Sequence, residues 1–285
     1  MILDGNNILL RSLHAPVEHE MRRSDGVVTG VLYRCLNTMF RVIQAQKPTH
    51  FLVVFDHGKS TYRVSIRPEY KANRREHDDK KREENQRIFL HQLKMWQYAL
   101  DTMYMTHMSS PRIEADDLIA SAVENYDGEK VIVTEDHDLF QLVSPEVKVQ
   151  KVSRSQGKPC VYGPQEVKER YGVEPQDLLK MWALVGDKGD NVIGLHRVGE
   201  KTALKALIAH DMDFNATVDA LAKTEDDKKR VVENYDLIAL HPELCSEMPD
   251  FDGLGLDYTL LKEDITLIAQ EFGFNRYLRD IDTLI

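Results

Sequence analysis

The chain has 285 residues, 42% of them apolar and 29% charged, with a formal net charge of −10; this is enough for one large domain or two smaller ones around a sizeable core. No apolar run reaches the roughly 20 residues of a membrane helix, and the opening "MILDGNNILL" shows no basic n-region or cleavage site, so the expectation is a soluble, cytoplasmic protein with no membrane partner. Cys35, Cys160 and Cys245 are far apart, odd in number and in no Cys-x-x-Cys arrangement, which argues against a disulfide framework and a zinc site and for reduced core thiols.

In chain order, "MILDG" and "HFLVVFDHG" (50–58) are short apolar runs ending in Asp-Gly or Asp-His-Gly, as buried parallel strands do where they meet their loops. Between them, Val31, Leu32, Cys35, Met39, Val42 and Ile43 recur at helical spacing and stop before Pro48. "TMYMTH" (102–107), an acid-fronted helix from about Glu114 and "KVIVTEDHD" (130–138) repeat the alternation, which predicts a central, mostly parallel α/β sheet flanked by helices. After about Gly163 the strands give way to helical patterns such as "PQDLLKMWALVG" and "DDKKRVVENYDLIAL". Two regions follow: an α/β core over 1–163 and a helical region over 164–285.

The overall acidity argues against a nucleic-acid partner, because phosphate binding rests on Lys and Arg. The distribution of charge points the other way. Between Arg63 and Arg87 nine Lys/Arg face six Asp/Glu, a local balance of +3. A solvated, salt-bridged helical segment has the same composition.

Carboxylates fall where an open parallel sheet builds its sites, beyond the carboxyl ends of the strands. Asp4 ends the first strand, Asp56 the second, and Asp136 and Asp138 a third; Glu114, Asp116 and Asp117 open the helix before it, and "GDKGDN" adds Asp187 and Asp190. Acids in a first turn also complement the helix dipole, so capping alone accounts for the middle group. Nine carboxylates in one crevice repel one another unless cations are present. Without His or Cys at zinc-like spacing, the expected cations are Mg²⁺ or Mn²⁺ bound through oxygen. Two such ions about 4 Å apart activate water and stabilise the attacking and leaving oxygens of phosphoryl displacement.

Five segments in order, "LDGNNILLRS", "VVFDHGKSTYR…RPEYKANR", "EADDLIA", "VTEDHDLFQLV" and "GDKGDNVIGLHRVGEKTALKAL", make the chain resemble the 5′-nucleases of the flap endonuclease family. It is similar to phage enzymes and to the 5′-nuclease domain of bacterial DNA polymerase I. The resemblance implies a PIN-like nuclease core with the nine acids as ligands of two Mg²⁺ ions, Mn²⁺ substituting. It implies a helical arch over about 59–90, with Lys71 and Arg74 at the scissile phosphate, where cations offset developing charge. Tyr70 matches an aromatic that stacks on an unpaired base, and Arg11 a phosphate contact. A helix-two-turn-helix over about 186–210 would bind downstream duplex and a K⁺ ion through Gly194, Arg197, Val198, Gly199, Lys201, Thr202 and Lys205. There the glycines admit the phosphate backbone and helix N-terminal amides point at it. The family often has Gly-hydrophobic-Gly where this chain reads Arg197-Val198-Gly199, which puts the turn in question.

The resemblance further implies a monomer acting in bacterial or phage-infected host cytoplasm. Its substrate would be branched DNA with a 5′ flap or 5′ end, including RNA–DNA primer junctions, cut endo- and exonucleolytically during replication. His14, His57, His107, His137 and His196 match no ligand position and read as bystanders, and Trp96 and Trp182 as core. A haloacid-dehalogenase phosphatase needs a second Asp two residues after the first, where this chain has Asn6. The alternative of another class is a non-catalytic DNA-junction-binding protein of the same fold, which would be expected to have lost acids.

Overall fold

The computed structural model describes residues 1–15, 21–74, 79–152 and 160–284. In it β1 (Ile2–Asp4), β2 (Leu52–Phe55), β3 (His107–Ser109), β4 (Lys130–Val133), β5 (Val147–Lys151) and β6 (Cys160–Tyr162) form one sheet in the order β3-β2-β1-β4-β5-β6. Every pairing is parallel except β5 with β6. The chain moves outward from β1 to β2 and β3, then returns to the other side of β1 for β4. The order reverses between β1 and β4, and open parallel sheets place their ligand crevices at such a switch point.

Strand residues alternate between two cores, as the two-residue period of a strand requires. Ile2, Leu52 and Val54 face one core, where α5 (Ala115–Asn125), α7 (Leu178–Val185) and α10 (Glu225–Ile238) also bury apolar residues. Leu3, Val53 and Phe55 face the other, packed by α2 (Gly30–Gln46), the end of α4 (Asp79–Thr102), α11 (Tyr258–Phe272) and α12 (Asn275–Leu284). The α2 stripe forms as its spacing predicts, with Val31, Leu32, Cys35, Met39, Val42 and Ile43 all buried, and it ends at Lys47, whose φ of 46° turns the chain ahead of Pro48.

The remaining elements are α1 (Gly5–His14), α3 (Thr61–Ile66), α6 (Pro164–Tyr171), β7 (Gly186–Asp187), β8 (Val192–Ile193), α8 (Glu200–Ala209) and α9 (Phe214–Leu221). Among the described residues no helix is long and apolar enough to cross a membrane.

The segment read as a strand at 102–107 is different. Helix α4 runs on to Thr102, Tyr104 takes the turn at φ 50°, and the strand begins only at His107. The β7–β8 hairpin interrupts the C-terminal part that reads as all-helical. Across the arch, α3 is followed by a 3-10 turn at Ala72–Arg74 and then by α4; residues 75–78 lie outside the described residues. Ile88 and Leu90 of α4 are exposed, whereas Trp96, Ala99 and Leu100 are core.

Candidate metal centre

Asp4 ends β1 and caps α1. Its Oδ1 accepts from the Asn7 amide at 3.0 Å and its Oδ2 from Thr134 Oγ1 at 2.8 Å. Thr134 directly follows β4, so this bond spans the switch point. Asp56, just past β2, accepts from the Ala115 amide at 2.7 Å and from Asn6 Nδ2 at 2.9 Å. The N-terminus of α5 is therefore capped by Asp56, and Glu114, its N-cap residue, makes no capping bond. Capping does not account for Glu114.

Beyond β4 the Asp136 amide donates to Thr134 Oγ1 and the Asp138 amide to Asp136 Oδ1. This folds the "TEDHD" turn so that its acids join the crevice. Burial, reinforced by the charges of Asp56 and Asp136, pushes Asp4 up to about 7 against the pull of its Asn7 and Thr134 bonds. Burial raises Asp116 well above the ordinary carboxylate range, with Asp136, Asp4 and Asp56 adding and Lys71 opposing. Asp138 is raised in the same way by burial, then by Asp136, Asp187 and Asp190. Electrostatically the acids fall into two overlapping sets: Asp4, Asp56 and Asp136 bear on Asp116, while Asp136, Asp187 and Asp190 bear on Asp138.

A third set of contacts closes the crevice. Tyr70 is buried; its hydroxyl donates to Asp190 Oδ2 at 2.8 Å and lies 3.2 Å from Glu114 Oε2. The Lys71 ammonium sits 2.8 Å from Glu114 Oε1 and 3.4 Å from Asp190 Oδ2. Burial works against the Lys71 charge, but Glu114 and Asp190 outweigh it and raise its pKa. Its backbone is left-handed at φ 54°, held by a bond from its amide to the Asp190 carbonyl at 2.9 Å. Such a conformation is costly for a residue with a Cβ and persists where its surroundings enforce it. Tyr70, Glu114, Asp116, Asp138, Asp187 and Asp190 line a cavity of about 10 Å³ with Arg63 on one wall, room for about one water-sized body. Carboxylate oxygens in excess of the cations beside them, several raised by crowding, suit a hard divalent cation.

Two expectations need correction. Asp117 is not in this crevice: it is fully buried, with Oδ2 on Arg63 Nη1 at 2.5 Å and Oδ1 accepting from Arg63 Nη2 and the His241 amide, each at 2.9 Å. Adjacent helix residues point about 100° apart, so Asp116 and Asp117 cannot share one target. Tyr70 is only 5% exposed, so its ring is not presented for stacking on a base; its hydroxyl serves the acids instead.

Sequence reasoning also missed Arg63. Besides Asp117 it approaches Glu114 at 3.3 Å and donates to the carbonyls of Leu237 and Ala239, tying α3 to α5 and to the end of α10. Its sequence signals were membership of the basic stripe and its place at the end of the "VVFDHGKSTYR" segment. Replacing Arg63 with Met leaves Asp117 charged and unpaired in the core, which should destabilise the fold by about 3–5 kcal/mol. Urea denaturation in EDTA measures this.

The other arch and loop residues are placed as follows. Arg74 ends the 3-10 turn, and its side chain lies outside the described part of the structure. Arg11, on α1, pairs with Glu135 at 3.1 Å at the surface. His137 is half exposed, 3.9 Å from Asp136 Oδ1 and 3.6 Å from Asp138 Oδ1, closer to the acids than a bystander need be.

In the loop before α8, Gly194 is required by the chain itself: a Cβ there would lie 2.0 Å from the Val185 carbonyl oxygen. Internal packing is by itself sufficient reason for a glycine at Gly194. Gly199, the N-cap of α8, faces open space, and Arg197, Lys201, Thr202 and Lys205 are exposed while Val198 is half-buried. Arg197 has φ 62°, the conformation a glycine would adopt freely, so the turn survives the substitution. Arg197→Gly should therefore keep the fold within about 1 kcal/mol, which urea denaturation measures.

The fold is that of the flap endonucleases. The structure of T5 D15 protein co-crystallised with metal ions superposes with a TM-score of 0.65 at 19% identity, covering 100% of this chain and 98% of that one. Flap endonuclease-1 from Methanococcus jannaschii gives 0.64 at 17% identity, over 100% and 90%. The sequence profile of the 5′-3′ exonuclease, N-terminal resolvase-like domain, matches residues 1–172, and the chain belongs to this nuclease family. DNA polymerase I of Bacillus subtilis (strain 168) is 30% identical over 293 residues, covering 98% of this chain and 32% of that protein. DNA polymerase I of Mycobacterium tuberculosis (strain ATCC 25618 / H37Rv) is 34% identical over 208 residues, covering 72% and 22%. The chain spans about a third or less of the length of these relatives.

Proposed function

We propose that this chain is a divalent-metal-dependent, structure-specific 5′-nuclease that hydrolyses phosphodiesters where a 5′ single strand meets duplex, as in flap or primer removal during replication. The observation that carries the reading is the pair of acid groups overlapping at Asp136, with the ammonium of Lys71 at their edge. Asp4, Asp56, Asp116 and Asp136 would hold one Mg²⁺, for which Mn²⁺ would substitute. Asp138, Asp187 and Asp190 would hold a second, with Asp136 between the two groups. When bound, such a pair supplies an activated water and charge stabilisation for in-line displacement. Glu114 and Asp190 hold Lys71 at the crevice mouth, where its cation would meet the scissile phosphate. Residues 164–285 would carry the duplex-binding surface, with Lys201, Thr202 and Lys205 on exposed α8 beside its N-terminus. A T5 D15 flap endonuclease complex with DNA and metal ions shares the fold, with a TM-score of 0.63 at 20% identity over 100% of this chain and 98% of that one, in keeping with a DNA substrate.

A 5′-labelled flap junction incubated in Mg²⁺ or in EDTA tests the reading. Cleavage near the junction in Mg²⁺ alone, leaving a 5′-phosphate on the downstream product, is expected. Metal-independent cleavage would sink the reading, and tight junction binding without cleavage would favour the non-catalytic alternative.

A further inference from the structure

Helix α10 lies between the root of the arch and the hairpin segment that carries Asp187 and Asp190. In its C-terminal half Asn234 is completely buried. Its Nδ2 donates to the carbonyls of Ala183 at 3.1 Å and Ile193 at 2.9 Å, and its Oδ1 accepts from Arg67 Nη1 at 2.9 Å. Ala183 is in the last turn of α7, four residues before Asp187. Ile193 is on β8, three residues after Asp190. One amide group therefore grips both ends of the segment that presents the two acids.

Its surroundings leave little room for adjustment. The Gly186 and Gly194 backbones are in such close approach that a Cβ on Gly186 would lie 2.3 Å from the Gly194 amide nitrogen. Between the acids and the arch, the Asn191 side chain donates to the Glu69 carbonyl at 2.8 Å, and the second guanidinium nitrogen of Arg67 pairs with Glu233 at 3.0 Å. A buried amide is unfavourable unless its partners are met. Here all three contacts are satisfied at once only when α7, β8 and Arg67 hold this arrangement.

We propose that Asn234 is a positioning residue for the Asp187/Asp190 pair: it fixes the spacing of the two chain segments that present these acids and, through Arg67, locks that spacing to the root of the arch. The inference rests on the reading of the crevice as a metal centre. It predicts that loss of the amide weakens one class of metal site and spares the other, a selectivity that a general contribution to folding would not produce.

The test measures Mn²⁺ binding to the DNA-free full chain by the electron paramagnetic resonance of the free ion, at a temperature where circular dichroism shows each variant folded. A chain with both Asp187→Asn and Asp190→Asn defines the class of site that depends on these acids. Asn234→Asp, which keeps the shape and the Arg67 bond but removes the donor to both carbonyls, should weaken that class by about tenfold, the scale of losing an outer support of a metal ligand, with the other class unchanged. Asn234→Ala repeats the test without a buried charge. Equal weakening of both classes, or of neither, overturns the proposal. So does failure of both variants to fold, which would make the amide a requirement of the whole structure. If the double Asp variant binds Mn²⁺ like the parent, the metal-centre reading itself has failed, a result distinguishable from failure at Asn234 alone.

Discussion

Replacing Asp136 with Asn should lower the single-turnover rate of flap cleavage by at least about 10³-fold, the scale of losing a group that stabilises transition-state charge. Its melting temperature in EDTA should stay unchanged or rise. The rate prediction follows from charge: Asp136 bears on Asp4, Asp116 and Asp138 alike, so its loss would disturb both proposed ion sites. The stability prediction follows from charge, because Asp136 contributes to raising Asp4, Asp116 and Asp138, and removing a like charge from a buried cluster relieves repulsion. The backbone bond that Asp136 Oδ1 accepts from Asp138 remains available to an Asn carbonyl oxygen. A large fall in melting temperature together with retained cleavage would return these acids to a structural role.

Lys71 and Lys201 should separate the chemical step from duplex binding. Lys71→Ala should reduce the single-turnover rate by about 10²–10³-fold while changing junction affinity in Ca²⁺ by less than about threefold, because contacts made in the transition state appear in rate rather than in ground-state binding. Glu114 and Asp190 hold the Lys71 ammonium beside the acids, the position from which the proposed contact would be made. Lys201 is exposed on α8. Lys201→Ala should weaken binding on all sequences and reduce the salt slope by about one counterion, with a near-normal rate at saturating enzyme. The same pattern in both variants would contradict the division between a reacting-phosphate contact and a duplex anchor.

The residues show why some of this was legible in sequence. Asp4 and Asp56 end apolar runs, and in an open parallel sheet the crevice lies beyond the carboxyl ends of the strands, so their placement followed from local pattern. Asp117 looked equivalent to Asp116, but the angle between neighbouring helix positions separates them; the helical period alone could have raised that objection. Tyr70 could not be placed from sequence, because its burial depends on Glu114 and Asp190 arriving from segments 44 and 120 residues away. The roles of Arg63 and Asn234 were invisible for the same reason: their partners are distant backbone carbonyls and side chains, and although Arg63 closes the "VVFDHGKSTYR" segment, nothing in that segment names Asp117 as its partner. Strand β6 and the β7–β8 hairpin are too short for periodicity to distinguish from loop, and β5, "VKVQK", carries too few apolar residues to stand out as a buried run.

The most direct test of the central claim is anomalous diffraction from crystals of the chain soaked in Mn²⁺. Two peaks are predicted about 4 Å apart, one among Asp4, Asp56, Asp116 and Asp136 and the other among Asp138, Asp187 and Asp190, with none at Asp117. A single peak, or ions held only at the surface by His137 with the acidic crevice empty, would contradict the two-metal account.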